Sequence, residues 1–183
     1  MTATARTFES AATANRIEPD VSLARAAVAA SLAAATTMTV SMAFLAIAHL
    51  AGGPRFGDGT SSAIVDALHT VTILLLLPIP FALHRVLAPA APRASAAAVA
   101  LAVDASVFGA VLHALFAAGF ASFGDAEPLL LIAYVAFAAW LWTVGSLGSR
   151  SGRLPDGRRM ALVGATIVGL PVWLAWIGRE LDR

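Results

Sequence analysis

The chain has 183 residues, of which 59% are hydrophobic and 13% are charged, and its mean hydropathy is +0.81. Soluble domains carry about 25% charged residues, so this composition excludes an ordinary water-soluble globule and a disordered chain. Twelve basic residues against eleven acidic ones give a net charge of +1, which argues against nucleic acid as a partner. The chain contains no cysteine, so disulfides and cysteine-ligated metal clusters are excluded.

The first twenty residues are polar and show no apolar face. We expect residues 1–20 to form a flexible cytoplasmic N-terminal arm and residues 21–183 to form one membrane domain. Apolar stretches follow in residues 26–50, 62–88, 94–122, 128–148 and 160–178. Each is close to the length of about 20 residues that a helix needs to cross a bilayer, and none alternates as a barrel strand does. The sequence therefore predicts an all-α, multi-pass transmembrane helix bundle with five spans.

Arginine is distributed unequally between the two sides that five spans would create. With the N-terminus inside, nine arginines lie on the inner side and three on the outer side, and the excess marks the cytoplasmic side. Abundant alanine and the absence of lysine indicate a GC-rich bacterial genome. We therefore predict a bacterial cytoplasmic membrane, with the N-terminus inside and the C-terminus outside. The arginines before the fifth span are expected to contact anionic lipid headgroups: Arg150, Arg153, Arg158 and Arg159.

Ionisable side chains inside the predicted spans are candidates for function, because placing each of them in hydrocarbon costs about 2.5–3.5 kcal/mol. A helical rise of about 1.5 Å per residue places four of them in the outer half of the bilayer: His49, Asp66, His69 and His113. Two histidines at one depth on neighbouring antiparallel helices could bind a haem- or chlorophyll-type tetrapyrrole, with His69 and His113 as ligands and Asp66 orienting His69.

The same four residues could instead hold zinc or copper, because imidazole and carboxylate groups are ligands for both metals. The alternative is structural: each imidazole hydrogen-bonds to a carbonyl or hydroxyl group of a neighbouring helix. Equal depth does not show whether the side chains face one another.

Asp104 is expected near the middle of the third span, slightly towards the inner side. Three hydroxyl groups are expected at a similar depth in the first span: those of Thr36, Thr37 and Thr39. We therefore expect Asp104 to be protonated and hydrogen-bonded to them. Together with the prolines that should kink the second span, Asp104 makes a proton-coupled small transporter an alternative function.

The tryptophan residues also indicate how deep parts of the fourth and fifth spans lie in the bilayer. Trp173 and Trp176 are expected near the outer end of the fifth span, where tryptophan is enriched at the membrane–water interface. Trp140 and Trp142 lie deeper in the fourth span, where we expect them to face lipid or to fill gaps between helices.

The segment Arg-Ser-Gly-Arg-Leu-Pro at residues 150–155, followed by Arg-Arg-Met-Ala-Leu-Val-Gly at 158–164, resembles the C-terminal part of an uncharacterised family of small multi-pass bacterial membrane proteins. Residues 82–87, Ala-Leu-His-Arg-Val-Leu, resemble the end of an earlier helix in that family. The resemblance extends over roughly the C-terminal half, and the insertion of Asp156 and Gly157 departs from it. It implies a membrane protein and brings no activity, cofactor or catalytic residue.

The sequence lacks the catalytic and nucleotide-binding motifs of soluble enzymes, so we predict that the protein is not an enzyme. The leading prediction is an integral membrane subunit or accessory protein that binds a partner protein or an apolar ligand within the bilayer, as part of a larger membrane complex. The alternatives are the tetrapyrrole- or metal-binding subunit and the proton-coupled transporter.

Overall fold

The structure is a computed structural model that describes residues 21–50, 60–164 and 169–182. These ranges form seven α-helices and contain no strand, in agreement with the predicted all-α class. The helices are α1 (Val21–Leu50), α2 (Thr60–Leu76), α3 (Pro78–Leu87), α4 (Pro92–Ala117), α5 (Phe123–Ser151), α6 (Gly157–Gly164) and α7 (Leu170–Leu181). The predicted N-terminal arm lies outside the described residues.

Four helical segments of the described chain are long and apolar enough to cross a membrane. They are Ser22–Ile47, Ser62–Leu87, Pro92–Ala117 and Gly124–Ser151. These segments correspond to the first four predicted spans, and α2 and α3 together form the second. The described chain therefore has the character of a multi-pass helical bundle, but it does not support a count of five spans.

The second span is interrupted where its prolines were predicted to kink it. α2 ends at Leu76 and α3 begins at Pro78, because Pro78 and Pro80 have no N–H group to continue the hydrogen-bond ladder. Leu77 keeps helical dihedral angles, with φ −55° and ψ −37°. The chain therefore continues in the same general direction, and the two helices together have the length of one span.

Within its described residues, the fifth predicted span contains two short helices, α6 with 8 residues and α7 with 12. At about 1.5 Å per residue these helices rise about 12 and 18 Å, less than the hydrocarbon thickness of about 30 Å. α6 packs directly on the end of α5. A Cβ atom built on Gly157 would lie 2.6 Å from the carbonyl oxygen of Gly145, so the two backbones are in contact, as small residues allow in membrane helix pairs.

α7 runs in the direction opposite to α1. Its first residue, Leu170, lines a central cavity together with Met38 of α1. Further along α7, a Cβ atom built on Gly178 would lie 3.3 Å from the Cβ atom of Ser31. The C-terminal end of α7 therefore lies beside the N-terminal half of α1, near the end of the bundle where α1 begins. This geometry explains why the fifth apolar stretch does not form a further full-length span.

The largest apolar core joins α7 to the rest of the bundle. The rings of Trp140 and Trp173 meet edge to face with their centroids 5.5 Å apart, and both side chains are buried. Trp173, predicted at the membrane–water interface, is buried in the core against Trp140, because α7 turns back into the bundle. Trp140 fills a gap between helices, as one of the two alternatives for it predicted, whereas Trp142 is exposed.

We expect Gly145→Ala to lower the free energy of unfolding in detergent by about 1–3 kcal/mol, because overpacking costs about that much. The added methyl group would meet the backbone of Gly157 and lie 2.8 Å from Ala161. Gly124→Ala is the matched control, since a Cβ atom there meets nothing within 4 Å. Denaturant titrations followed by circular dichroism measure both variants. Equal stability of the two would contradict the close contact of α5 with α6.

Candidate functional site

Four polar side chains from three helices meet in the half of the bundle that lies away from the start of α1. Asp66 and His69 lie near the beginning of α2, His113 lies near the end of α4, and Tyr134 lies on α5. Residues three apart share a helix face, so Asp66 and His69 both point towards α4. We call Asp66, His69, His113 and Tyr134 the polar cluster.

His113 is held at both ring nitrogens. Its Nδ1 atom lies 2.8 Å from Oδ1 of Asp66, and its Nε2 atom lies 3.2 Å from the hydroxyl oxygen of Tyr134. A carboxylate can only accept a hydrogen bond, so Asp66 places the ring proton on Nδ1 and leaves Nε2 to accept from Tyr134. Asp66 and His113 are both buried. The prediction that Asp66 orients His69 is therefore wrong, because Asp66 bonds across to His113.

His69 lies against His113 but is not satisfied in the same way. The two ring centroids are 4.9 Å apart and the ring planes are inclined by 53°. The Nδ1 atom of His69 is buried and has no hydrogen-bond partner among the residues that the structure describes. A buried polar atom without a partner costs about 1–3 kcal/mol. His69 thus offers a ring nitrogen that is available to a ligand.

The cluster has the donor atoms of a metal site. One ligand atom each from Asp66, His69 and His113 lie within 4.8 Å of one another. Metal–nitrogen distances of about 2.0–2.1 Å would bring any two ligand atoms to within about 4 Å. Small side-chain rotations towards a common centre would therefore complete the site. Imidazole nitrogen and carboxylate oxygen are the donors typical of zinc and copper sites.

The same geometry does not support the tetrapyrrole alternative. A haem held by two histidines lies with its macrocycle between the two ligand rings. The rings of His69 and His113 are in contact, with centroids 4.9 Å apart. No space for a macrocycle is left between them.

A cavity of about 70 Å³ adjoins the polar cluster. Its lining includes His69, His113 and Tyr134 on one side and Ser106 and Leu170 on another. The Oγ atom of Ser106 is buried and has no hydrogen-bond partner in the described part of the chain. The cavity has less than half the volume of about 150 Å³ that holds benzene in another protein, but it has room for about two water molecules. Its volume therefore does not support binding of an extended apolar ligand.

Asp104 does not lie where we expected. Its side chain is exposed on the surface of α4. The hydroxyl groups of Thr36 and Thr39 donate to carbonyl oxygens of their own helix, at 2.9 and 2.8 Å. The hydroxyl of Thr37 lies 2.7 Å from that of Thr72, so it links α1 to α2. The predicted bonds between Asp104 and these threonines are wrong, because Asp104 faces away from the interior.

The remaining predicted residues lie outside the polar cluster. The side chain of His49, predicted as a metal ligand, is outside the described residues. His84 lies towards the other end of the bundle, where its Nδ1 atom is 2.9 Å from the hydroxyl of Ser95. The four arginines predicted to contact lipid headgroups are exposed around the turn from α5 to α6, and that contact stays a prediction.

Two parts of the site were not predicted: the bond from Tyr134 to His113, and the unpartnered hydroxyl of Ser106. Tyr134 is the one tyrosine in the chain, and a phenolic hydroxyl within an apolar span needs a partner. That signal was present in the sequence. Ser106 carries no comparable signal, because serine also occurs where two helices simply pack closely.

No protein-family model, curated protein or solved structure matches the chain. The resemblance to an uncharacterised membrane protein family therefore stays a prediction, and the functional argument rests on the geometry of the polar cluster.

We expect Asp66→Ala to destabilise the protein by about 1–3 kcal/mol, because it leaves the buried Nδ1 atom of His113 without an acceptor. Tyr134→Phe should cost less, about 0.6 kcal/mol, the average for a hydrogen bond between membrane helices. Tyr134 is also 48% exposed, so this hydrogen bond is less deeply buried than the one between Asp66 and His113. Unfolding titrations of both variants in the same detergent make the comparison. A larger loss for Tyr134→Phe would contradict the central role of Asp66.

Proposed function

We propose that this chain is an integral membrane protein that binds one transition-metal ion, of the zinc or copper class, within the bilayer. His69 and His113 are the ligands, and Asp66 supports His113. One observation carries the proposal: two imidazoles in contact inside an apolar bundle, one of which keeps a buried nitrogen without a partner among the described residues.

Each residue of the cluster has a distinct part in this proposal. His69 supplies the available ring nitrogen. His113 binds through Nε2 and exchanges its bond to Tyr134 for one to the ion. Asp66 keeps the proton on Nδ1 of His113, which fixes the ring and strengthens it as a ligand, as carboxylates do in many metal sites. The ion satisfies the imidazole nitrogen that the apolar interior leaves without a partner.

The other functions receive less support from the same residues. The transporter alternative relied on Asp104 and on the prolines that kink the second span. Asp104 is exposed on the bundle surface, and the threonines expected to bond to it bond elsewhere. Binding of an apolar ligand would require a larger cavity than the one of about 70 Å³. Membership of a larger membrane complex and the absence of enzymatic activity stay predictions.

We also propose that the chain crosses a bacterial cytoplasmic membrane four times, with its N-terminus in the cytoplasm, and that α6 and α7 enter and leave from the cytoplasmic side. The position of Gly178 beside Ser31 supports this topology. The arginines support it as well. With the C-terminal end inside, Arg179 and Arg183 join the cytoplasmic set, which rises from nine to eleven of the twelve and leaves Arg55 alone outside.

The metal site is tested on the purified, metal-depleted full chain by titration with zinc, with cobalt as a spectroscopic probe of the ligand set. We expect one ion per chain. His69→Ala and His113→Ala should weaken zinc binding by about a hundredfold or more, because loss of even a ligand's supporting partner costs 10–100-fold. Asp66→Asn should weaken zinc binding by about 10–100-fold, because it removes the partner that supports His113.

His84→Ala is the matched control, because His84 lies outside the polar cluster and bonds to Ser95. Its affinity for zinc should equal that of the parent chain. Circular dichroism of each variant shows whether it keeps its helices, and His69→Gln provides a bulkier replacement if His69→Ala unfolds. Parent-like zinc affinity in a folded His69 or His113 variant contradicts the proposal, as does a parent chain that binds no zinc.

The topology is tested with single cysteines, since the parent chain has none. Arg153→Cys and Asp182→Cys should resist a membrane-impermeant thiol reagent in spheroplasts and react with it in inverted vesicles. Gly124→Cys, at the opposite end of α5, should show the reverse pattern. Reaction of Asp182→Cys in intact spheroplasts would instead indicate a fifth crossing.

A further inference from the structure

Asp104 lies at the middle of α4, with about equal lengths of helix on either side of it (Pro92–Ala117). At about 1.5 Å per residue the two helix ends are each close to 18 Å away. Its side chain is exposed on the bundle surface and is too short to reach the membrane–water interface. Ionisable side chains within membrane spans almost always face protein or water, because lipid cannot satisfy them. With α4 crossing the bilayer, as the topology proposed above has it, Asp104 needs a further protein surface against this part of α4.

The residues around Asp104 form a continuous exposed stripe. Ala97 and Ala100 lie towards the N-terminal end of α4, and Phe108 and Val111 lie towards its C-terminal end; all four are exposed. They recur at steps of three and four residues, which keeps them on one side of the helix. We call Ala97, Ala100, Asp104, Phe108 and Val111 the α4 face.

We propose that the α4 face binds the same face of a second copy of this chain, with the two Asp104 side chains meeting at a two-fold axis along the membrane normal. A carboxylic acid group carries both a hydrogen-bond donor and an acceptor, so two such groups can bond to each other. The group is thus complementary to itself, as a symmetric contact between identical surfaces requires. An axis along the membrane normal also brings both carboxyl groups to the same depth.

The packing around Asp104 suits this pairing. Ala97 and Ala100 have small side chains, which let two helices approach closely in the membrane. Three threonine hydroxyls within the spans do not need a second chain. The hydroxyls of Thr36, Thr39 and Thr143 donate to carbonyl oxygens four residues earlier in their own helices. A different protein would have to bring its own donor or cation to the depth of Asp104, whereas a second copy already carries the matching group.

Disulfide cross-linking in native membranes tests the dimer. Ala100→Cys should cross-link to itself with a lipid-soluble oxidant. Ala139→Cys is the matched control, because it makes the same substitution at an exposed position in the middle of α5. It should not cross-link to a second copy. Asp104→Ala in the Ala100→Cys chain should weaken dimerisation about tenfold, the effect of about 1.4 kcal/mol, which lies in the range for hydrogen bonds between membrane helices in model peptides. Asp104→Asn should stay within about threefold, because an amide is also both donor and acceptor.

Light scattering of the solubilised parent chain provides a second measurement, and it should give twice the chain mass of 18.7 kDa. Circular dichroism of the Asp104 variants confirms that they keep their helices. The proposal is overturned if Ala100→Cys cross-links no better than Ala139→Cys, if Asp104→Ala cross-links like the parent, or if Ala100→Cys captures a different protein in place of a second copy.

Discussion

The hydrogen bond between Asp66 and His113 is the contact around which the half of the bundle away from the start of α1 is arranged. It joins α2 to α4, and the bond from His113 to Tyr134 extends the connection to α5. Hydrogen bonds between buried groups are strong in an interior of low dielectric constant, so this one imidazole fixes how three helices are aligned along their axes. This alignment places His69 against the ring of His113. In that position its Nδ1 atom has no hydrogen-bond partner within the described part of the chain.

Much of the helical layout could be predicted from hydropathy and proline, and the limits have physical reasons. The first four apolar stretches overlap the four long apolar helical segments, and Pro78 marks the break between α2 and α3. The fifth stretch is equally apolar, but length and hydropathy do not show the direction of the chain. Gly164 and Pro171 lie within it, and both are signals that a helix does not continue unbroken. If Gly164 and Pro171 had been given more weight, the sequence would have predicted two short helices in the fifth stretch.

The candidate site was predicted in its residue types and depth but not in its contacts. Asp66, His69 and His113 do meet, as similar depth suggested, whereas Asp104 and the threonines of α1 do not. The difference lies in rotation about the helix axis. α1 and α4 are apolar on nearly all sides, so their sequences do not reveal which side is buried. Depth can be counted from the sequence, but the facing of a side chain depends on how the helices pack.

The contact between Gly145 and Gly157 has a consequence for how the chain assembles during synthesis. α6 packs on α5, so it can dock only after α5 has formed. α7 packs against α1 and against Trp140 of α5, so it needs both of those helices. Short helices that stop partway through a bilayer leave backbone ends that lipid cannot satisfy. The helices α6 and α7 therefore lack stable packing partners until the four long apolar segments have assembled, so their docking follows that assembly.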